Sequence, residues 1–238
     1  MKAMILAAGR GERMRPLTDT TPKPLLTVGG KALIVWHIEN LARAGFTELV
    51  INHAHLGEMI EAALGDGSQF GVRIAYSAEG EALETAGGIA KALPLLGDEP
   101  FLVVNGDIHT YYEFGKARDI AATMQADPNF LAYLVLTDNP PHHPNGDFAL
   151  EDGVCKLEGA HKLTYTGIGV YRPESFAHIV PGSKAALGPL LKQWIGQGRV
   201  RGEHHRARWV DVGTPQRLAA LDVALTKCSK RVCLRDEA

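Results

Sequence analysis

The residues of this sequence best suited to chemistry are the cations of one loop. Arg10, Arg13 and Arg15 follow the apolar run Ala3-Met4-Ile5-Leu6, and the loop closes with Lys23 held between Pro22 and Pro24, two residues of fixed φ. Ala7, Ala8, Gly9 and Gly11 carry little or no side chain, so a ligand can approach their backbone N–H groups. Small residues that admit a polyphosphate, with cations to neutralise it, are what nucleoside triphosphate binding at a strand end requires. Other phosphate loops fail on spacing. The dinucleotide fingerprint needs a third glycine where Met14 stands and a helix directly after it, and Pro16 and the run Thr18-Asp19-Thr20-Thr21-Pro22 oppose that helix. The Gly-Lys-Ser/Thr of a P-loop is absent. A tight turn with no ligand is the plain alternative.

Two aspartates add to the loop. Asp107 follows the apolar strand 101–104, and Asp211 follows the short strand 208–210 inside Trp209-Val210-Asp211-Val212-Gly213-Thr214-Pro215. In an open parallel sheet ligands collect outside the carboxyl ends of strands, so both carboxylates are expected at a crevice; a helix cap or a turn is the alternative for each. Together they could hold one hard cation, because Mg²⁺ takes one or two carboxylates and leaves its other positions to water or phosphate. Gly87-Gly88, early in a predicted helix, costs about 1 kcal/mol per glycine, which points to a close ligand or, alternatively, close helix packing. The histidines His53, His55, His142, His143, His204 and His205 have no cysteine beside them and no spacing that builds a tetrahedral site. No Gly-x-Ser-x-Gly nucleophile motif occurs.

The string LAAGRGERMRPLTDTTPKPL resembles the nucleotide-binding signature of the sugar-1-phosphate nucleotidyltransferases, and VNGD and WVDVGTP resemble that family's metal-binding segments. The resemblance implies a Rossmann-like α/β domain that joins a nucleoside triphosphate to a sugar 1-phosphate and releases pyrophosphate. It implies Asp107 and Asp211 as ligands of a catalytic Mg²⁺, and Gly11, Glu12, Arg13 and Lys23 on the triphosphate. Arg13 would meet the β- and γ-phosphates and Lys23 the α-phosphate. Ala7, Ala8 and Gly9 would line the base, and Thr85 and Gly88, within Glu84-Thr85-Ala86-Gly87-Gly88, would approach base and ribose. Asn105, Gly146, Asp147, Thr166 and Gly167 match regions where relatives touch the sugar, with Lys156-Leu157-Glu158 a weaker match. Within the family the chain is most similar to short bacterial N-acetylmuramate-1-phosphate uridylyltransferases of cell-wall recycling, through VINHAHLGEMIE, YSAEGEALETAGGI, HPNGDFAL (residues 143–150) and GEHHRARWVDVGTP. The likeness implies UTP as donor and UDP-N-acetylmuramate as product. His109-Thr110-Tyr111-Tyr112-Glu113 departs from those relatives, which tend to have Trp and a further Asp there. A heptose, glucose or phosphocholine acceptor, and a non-catalytic nucleotide-sensing subunit, are the other readings.

The elements that must position these residues alternate. Strands are predicted at 3–6, 48–52, 72–76 and 101–104, and helices at 33–44, 55–64 and 85–93, the last stopped by Pro94. This βαβα order predicts an α/β fold with a mixed, mostly parallel sheet flanked by helices, of GT-A-like, Rossmann-like nucleotidyltransferase type. After residue 140 short strands at 147–150, 154–157 and 163–171 suggest antiparallel additions, followed by helices at 174–179 and 187–195, strands at 200–203 and 208–210, and a helix at 215–226. A single domain over 1–226 is expected, nucleotide-binding to about 138 and acceptor-binding from 139, with a solvated tail over 227–238.

Composition excludes other classes. A formal charge of −2 over 238 residues gives no basic field for nucleic acid or an anionic membrane. Cys155, Cys228 and Cys233 lack both disulfide-framework and metal-site spacing and read as free thiols. No signal peptide and no membrane-length apolar run are present, so a cytoplasmic monomer or small homo-oligomer is expected.

Overall fold

Apolar residues at alternate positions of the first strands point to opposite faces, which requires helices on both. The computed structural model describes residues 1–236, with side chains through residue 227. Its first half runs β1 (Ala3–Leu6), the hairpin β2 (Thr27–Val28) and β3 (Lys31–Ala32), α1 (Leu33–Arg43), β4 (Glu48–His53), α2 (Gly57–Leu64), β5 (Arg73–Ala78), α3 (Glu84–Leu96), β6 (Phe101–Asn105), β7 (Ile108–Thr110), α4 (Ala117–Ala126) and β8 (Ala132–Thr137). There follow β9 (Phe148–Glu151), β10 (Val154–Lys156), β11 (Lys162–Tyr171), α5 (Leu187–Gly196), β12 (Val200–His205), β13 (Trp209–Asp211) and α6 (Pro215–Asp236).

Nine strands form one sheet in the order β5-β4-β1-β6-β11-β8-β12-β10-β9. β5, β4, β1 and β6 are mutually parallel, and β8 and β12 are parallel to each other. β11 enters antiparallel between β6 and β8, so the sheet is mixed, as the alternation predicts. Ala3 and Ile5 of β1 and Leu102 and Val104 of β6 pack with Ile34, Ile38, Ile60 and Met124 on one face. Met4, Phe101 and Val103 pack with Ile89, Leu96, Leu191 and Trp194 on the other. A third cluster, Met14, Val28, Leu33, Val212, Leu221 and Leu225, fastens α6 and the β2–β3 hairpin over the end of the sheet.

Four expectations are corrected. α3 continues past Pro94 to Leu96, because in the last turn a proline removes one hydrogen bond while buried Leu96 keeps the turn packed. The predicted helix 174–179 is a single turn, Pro173–Ser175, and buried Phe176 leaves it to pack between Phe101, Tyr171 and Trp194. The sequence assigns no element between 108 and 138, where β7, α4 and the central strand β8 lie. α6 runs through Asp236, so the backbone of the expected tail is helical over 227–236; residues 237–238 lie outside the described residues. Cys228 and Cys233 lie outside the described side chains; Cys155 is free and buried, and burial pushes its thiol up to about 12.

Candidate active site

The loop after β1 folds as three short turns, Glu12–Met14, Leu17–Asp19 and Lys23–Leu25. Gly11 sits at φ 64°, and a Cβ there would stand 2.9 Å from Thr18 Cγ2; the Thr18 hydroxyl donates to the Gly11 carbonyl at 2.9 Å. This brace opens a cleft of about 490 Å³ lined by Ala8, Gly9, Gly11, Glu12, Arg13, Lys23, Thr85, Asn105 and Asp107 among others. All nine are residues singled out from sequence. Arg10 also lines it, whereas Arg15 turns outward to pair with Asp19 at 3.3 Å.

Lys23 is buried, and its Nζ donates to Asp107 Oδ2 at 2.6 Å. Asp107 leaves β6 just before β7, and β7 pairs antiparallel with β13, setting Ile108 opposite Asp211. The Val212 N–H donates to the Asp107 carbonyl at 2.7 Å. One small ladder thus brings the two aspartates together from distant parts of the chain. Asp211 Oδ2 takes a hydrogen bond from Arg217 Nη1, and Oδ1 lies 2.9 Å from His142 Nε2. Among the described residues no group of three or more His, Cys, Asp or Glu forms a metal cage. Asp107 lines the cleft, and Asp211 stands next to it in the ladder, two residues from the cleft-lining Gly213. Each carboxylate has a cation partner, and two such carboxylates fit the donor set of a small hard cation that completes its shell with water and phosphate.

The other end of the cleft lies over β4 and β5. Asn52, at the end of β4, accepts from the Ala7 N–H at 2.9 Å and donates to Glu79 Oε1 at 2.6 Å; Glu79 Oε2 accepts from the Leu83 N–H at 2.8 Å. Two residues assigned to the nucleotide have protein partners here. The Ala7 N–H is held by Asn52. Gly88 is buried behind the same pair, where a Cβ would lie 2.4 Å from Glu79 Oε1. Gly87 likewise makes room for the Ser183 carbonyl, 2.4 Å from its would-be Cβ, so packing explains the glycine pair. Asn52, Glu79, Ala82, Glu84 and Gly213 line the cleft without having been named from sequence as ligands. Asn52 stands near the carboxyl end of β4 and Glu79 directly after β5, much as Asp107 stands after β6, and that shared position was the signal for them.

The acceptor-side residues divide. Asn105 lines the cleft. Gly167, at φ 81°, lets the Asn105 side chain lie against the bulge in β11, where a Cβ would come within 2.5 Å of it. Thr166 is turned into the sheet, its hydroxyl donating to the Val135 carbonyl at 2.7 Å, while its own carbonyl accepts from Trp209 Nε1 at 3.0 Å. Asp147 accepts from the Tyr165 N–H at 2.8 Å and faces His143 at 3.1 Å, and Gly146 makes a turn against Lys162. Thr166 thus braces β11 on β8, and Gly146 and Asp147 hold the chain before β9 against β11. Two imidazoles are buried here, His37 on α1 and His109 in β7, with no partner among the described residues for His37 Nε2 or for either ring nitrogen of His109. Burial pushes both down to about 4.

The sequence profile of the Nucleotidyl transferase family matches residues 2–227. This chain belongs to that family. An N-acetylmuramate alpha-1-phosphate uridylyltransferase of Neisseria meningitidis serogroup B is 59% identical over 222 residues, 92% of this chain and 95% of that protein. A protein of the same name from Caulobacter vibrioides is 37% identical over 94% of this chain and 97% of its own length. Among solved structures, a Bacillus anthracis protein provisionally assigned as a glucose-1-phosphate thymidylyltransferase superposes with a TM-score of 0.82 at 21% identity, covering 95% of each chain. At that identity it bears on the fold alone, and the fold agrees: this nucleotidyl transferase has the mixed sheet and helical layers of its solved relative.

Proposed function

We propose that this nucleotidyl transferase moves a uridylyl group from UTP to N-acetylmuramate 1-phosphate, releasing pyrophosphate and forming UDP-N-acetylmuramate. The chemistry rests on one observation above the rest: a buried lysine held on a strand-end aspartate at the floor of a small-residue, arginine-bearing cleft. The pair of substrates rests on 59% identity to the Neisseria meningitidis uridylyltransferase over nearly the whole of both chains. Recycling of a cell-wall sugar in the cytoplasm is the setting that this substrate implies.

A phosphate monoester has its second pKa near ~6, so the attacking oxygen is already anionic near neutral pH and needs no general base. It attacks the α-phosphorus in line; the new P–O bond forms as the bond to the β-phosphate oxygen breaks, and pyrophosphate carries away the negative charge. Arg13 and Arg10, exposed on the loop, bind the β- and γ-phosphates. Lys23 cannot swing freely, because it is buried between two prolines and anchored on Asp107, and it presents its charge where negative charge gathers. Asp107 and Asp211 would hold Mg²⁺, whose contribution when bound is to neutralise the reacting phosphates. Asn52 and Glu79 shape the nucleoside end, and Asn105 the sugar end.

Pyrophosphate release measured across UTP, GTP, CTP and TTP with a panel of sugar 1-phosphates tests this reading. UTP with N-acetylmuramate 1-phosphate is expected to give the highest kcat/KM. A higher value for another pair replaces the substrates, and nucleotide binding without release from any pair replaces the enzyme by a sensor.

A further inference from the structure

The cations of the loop account for the donor's phosphates, but the acceptor brings a second phosphate that needs a partner. Arg217 stands where that partner is required. It lies in the first turn of α6, its Nη1 on Asp211 and 2.8 Å from His142 Nε2. Gly213, which lines the nucleotide cleft, is what lets it reach there: a Cβ at Gly213 would fall 2.6 Å from Arg217 Nη2 and 3.2 Å from Asp211 Oδ2. Only a glycine separates the guanidinium from the cleft, and Nη2 makes no hydrogen bond among the described residues. The loop that carries His142 is braced at its base, with Asn139 Nδ2 donating to the carbonyls of Pro144 at 3.1 Å and Lys162 at 2.9 Å and Asn139 Oδ1 accepting from the Thr164 hydroxyl at 2.8 Å. His142 is thereby held against Asp211 and Arg217 from the acceptor half of the chain.

We propose that Arg217 binds the phosphate of the incoming sugar 1-phosphate across Gly213, with His142 as its positioning residue. The inference rests on the nucleotidyl-transfer reading of the cleft. Its chemistry is that of a planar guanidinium, which offers paired N–H donors to phosphate oxygens. Asp211 takes only the Nη1 donor, leaving Nη2 for an anion, and a divalent cation held by Asp211 would leave both donors to the acceptor phosphate. Lys23 beside Asp107 and Arg217 beside Asp211 form a matched pair, one cation for the α-phosphate being transferred and one for the attacking phosphate.

The test compares wild type with Arg217→Met and Arg217→Lys in steady-state kinetics at saturating Mg²⁺, and measures equilibrium binding of N-acetylmuramate 1-phosphate by calorimetry. Loss of a charge-assisted hydrogen bond predicts a rise of about 10- to 100-fold in the acceptor KM and Kd of Arg217→Met, with the KM for UTP within about twofold. Arg217→Lys, which keeps the charge but not the fork, is expected to recover part of the loss. An unchanged acceptor Kd in Arg217→Met, or KM values for UTP and acceptor that rise together, overturns the proposal and leaves Arg217 as a support for Asp211. A wild-type protein that turns over no sugar 1-phosphate instead overturns the functional reading beneath it.

Discussion

Lys23 and Asp107 carry different loads, and single substitutions separate them. Lys23 is the buried partner, while Asp107 keeps access to solvent through the cleft. Lys23→Met therefore leaves a carboxylate that water can still reach, and little folding energy is lost. Under the proposed mechanism it removes a fixed charge from beside the reacting phosphate, for which a fall of about 10²- to 10³-fold in kcat is expected. Asp107→Ala is expected from sequence to remove turnover more than folding. The ion pair adds a cost, since that variant strands a buried ammonium; about 1–3 kcal/mol of unfolding free energy goes with it. Denaturant unfolding beside single-turnover kinetics distinguishes the two, and a Lys23→Met enzyme with wild-type kcat contradicts the role given to the lysine.

At the scale of elements, the site depends on two devices that bring strand ends together. One is the β7–β13 ladder, which sets Asp211 beside Asp107. The other is the bulge in β11, where Gly167 at φ 81° yields space to Asn105. Gly167→Ala imposes left-handed strain and pushes Asn105 out of place, so a loss of about 1–3 kcal/mol in stability is expected, with the KM for the acceptor raised more than that for UTP. An unfolding midpoint equal to wild type removes this explanation of the bulge. The glycine was legible in the sequence as part of Thr166-Gly167, but its work was not: the string suggested contact with sugar, and the structure gives it contact with Asn105. Gly88 shows the same pattern. Glycine reports that something comes close, and only the packed structure says whether that is ligand or protein.

Over the whole molecule, the layers on both sides of the sheet bury groups that respond to pH. His37 is enclosed between α1 and β7, and burial lowers it from 6.5 to about 4, opposed by a hydrogen bond with the Ile108 backbone. Above pH 6.5 the ring is neutral in both folded and unfolded chains, and its contribution to stability is constant. As pH falls from 6.5 to 4 the unfolded chain takes up a proton that the folded one refuses, so stability is lost across that window, on the order of 3 kcal/mol from this residue. His109, also held near 4, acts in the same direction. Denaturant melts at pH 7.5, 5.5 and 4.5 should show this decline in wild type and a shallower one in His37→Gln. Equal slopes in both proteins would place the pH sensitivity elsewhere.

The sequence by itself determined the layered α/β class, the small-residue, cationic loop that lines the cleft and the two strand-end aspartates. Those are local properties: one contiguous loop supplies the small residues and cations, and hydrophobic periodicity reports strands and helices segment by segment. The tertiary structure alone decided that Asn52 and Glu79 pair at one end of the cleft, that Arg217 meets Asp211, and that Thr166, Asp147 and Gly88 each lie against protein partners. Each of these contacts joins residues from separate elements or hairpin arms, and their meeting is set by strand register and by the burial of two faces of one sheet. No spacing along the chain encodes that, because the choice between a ligand and a protein partner is made only when the elements close on one another.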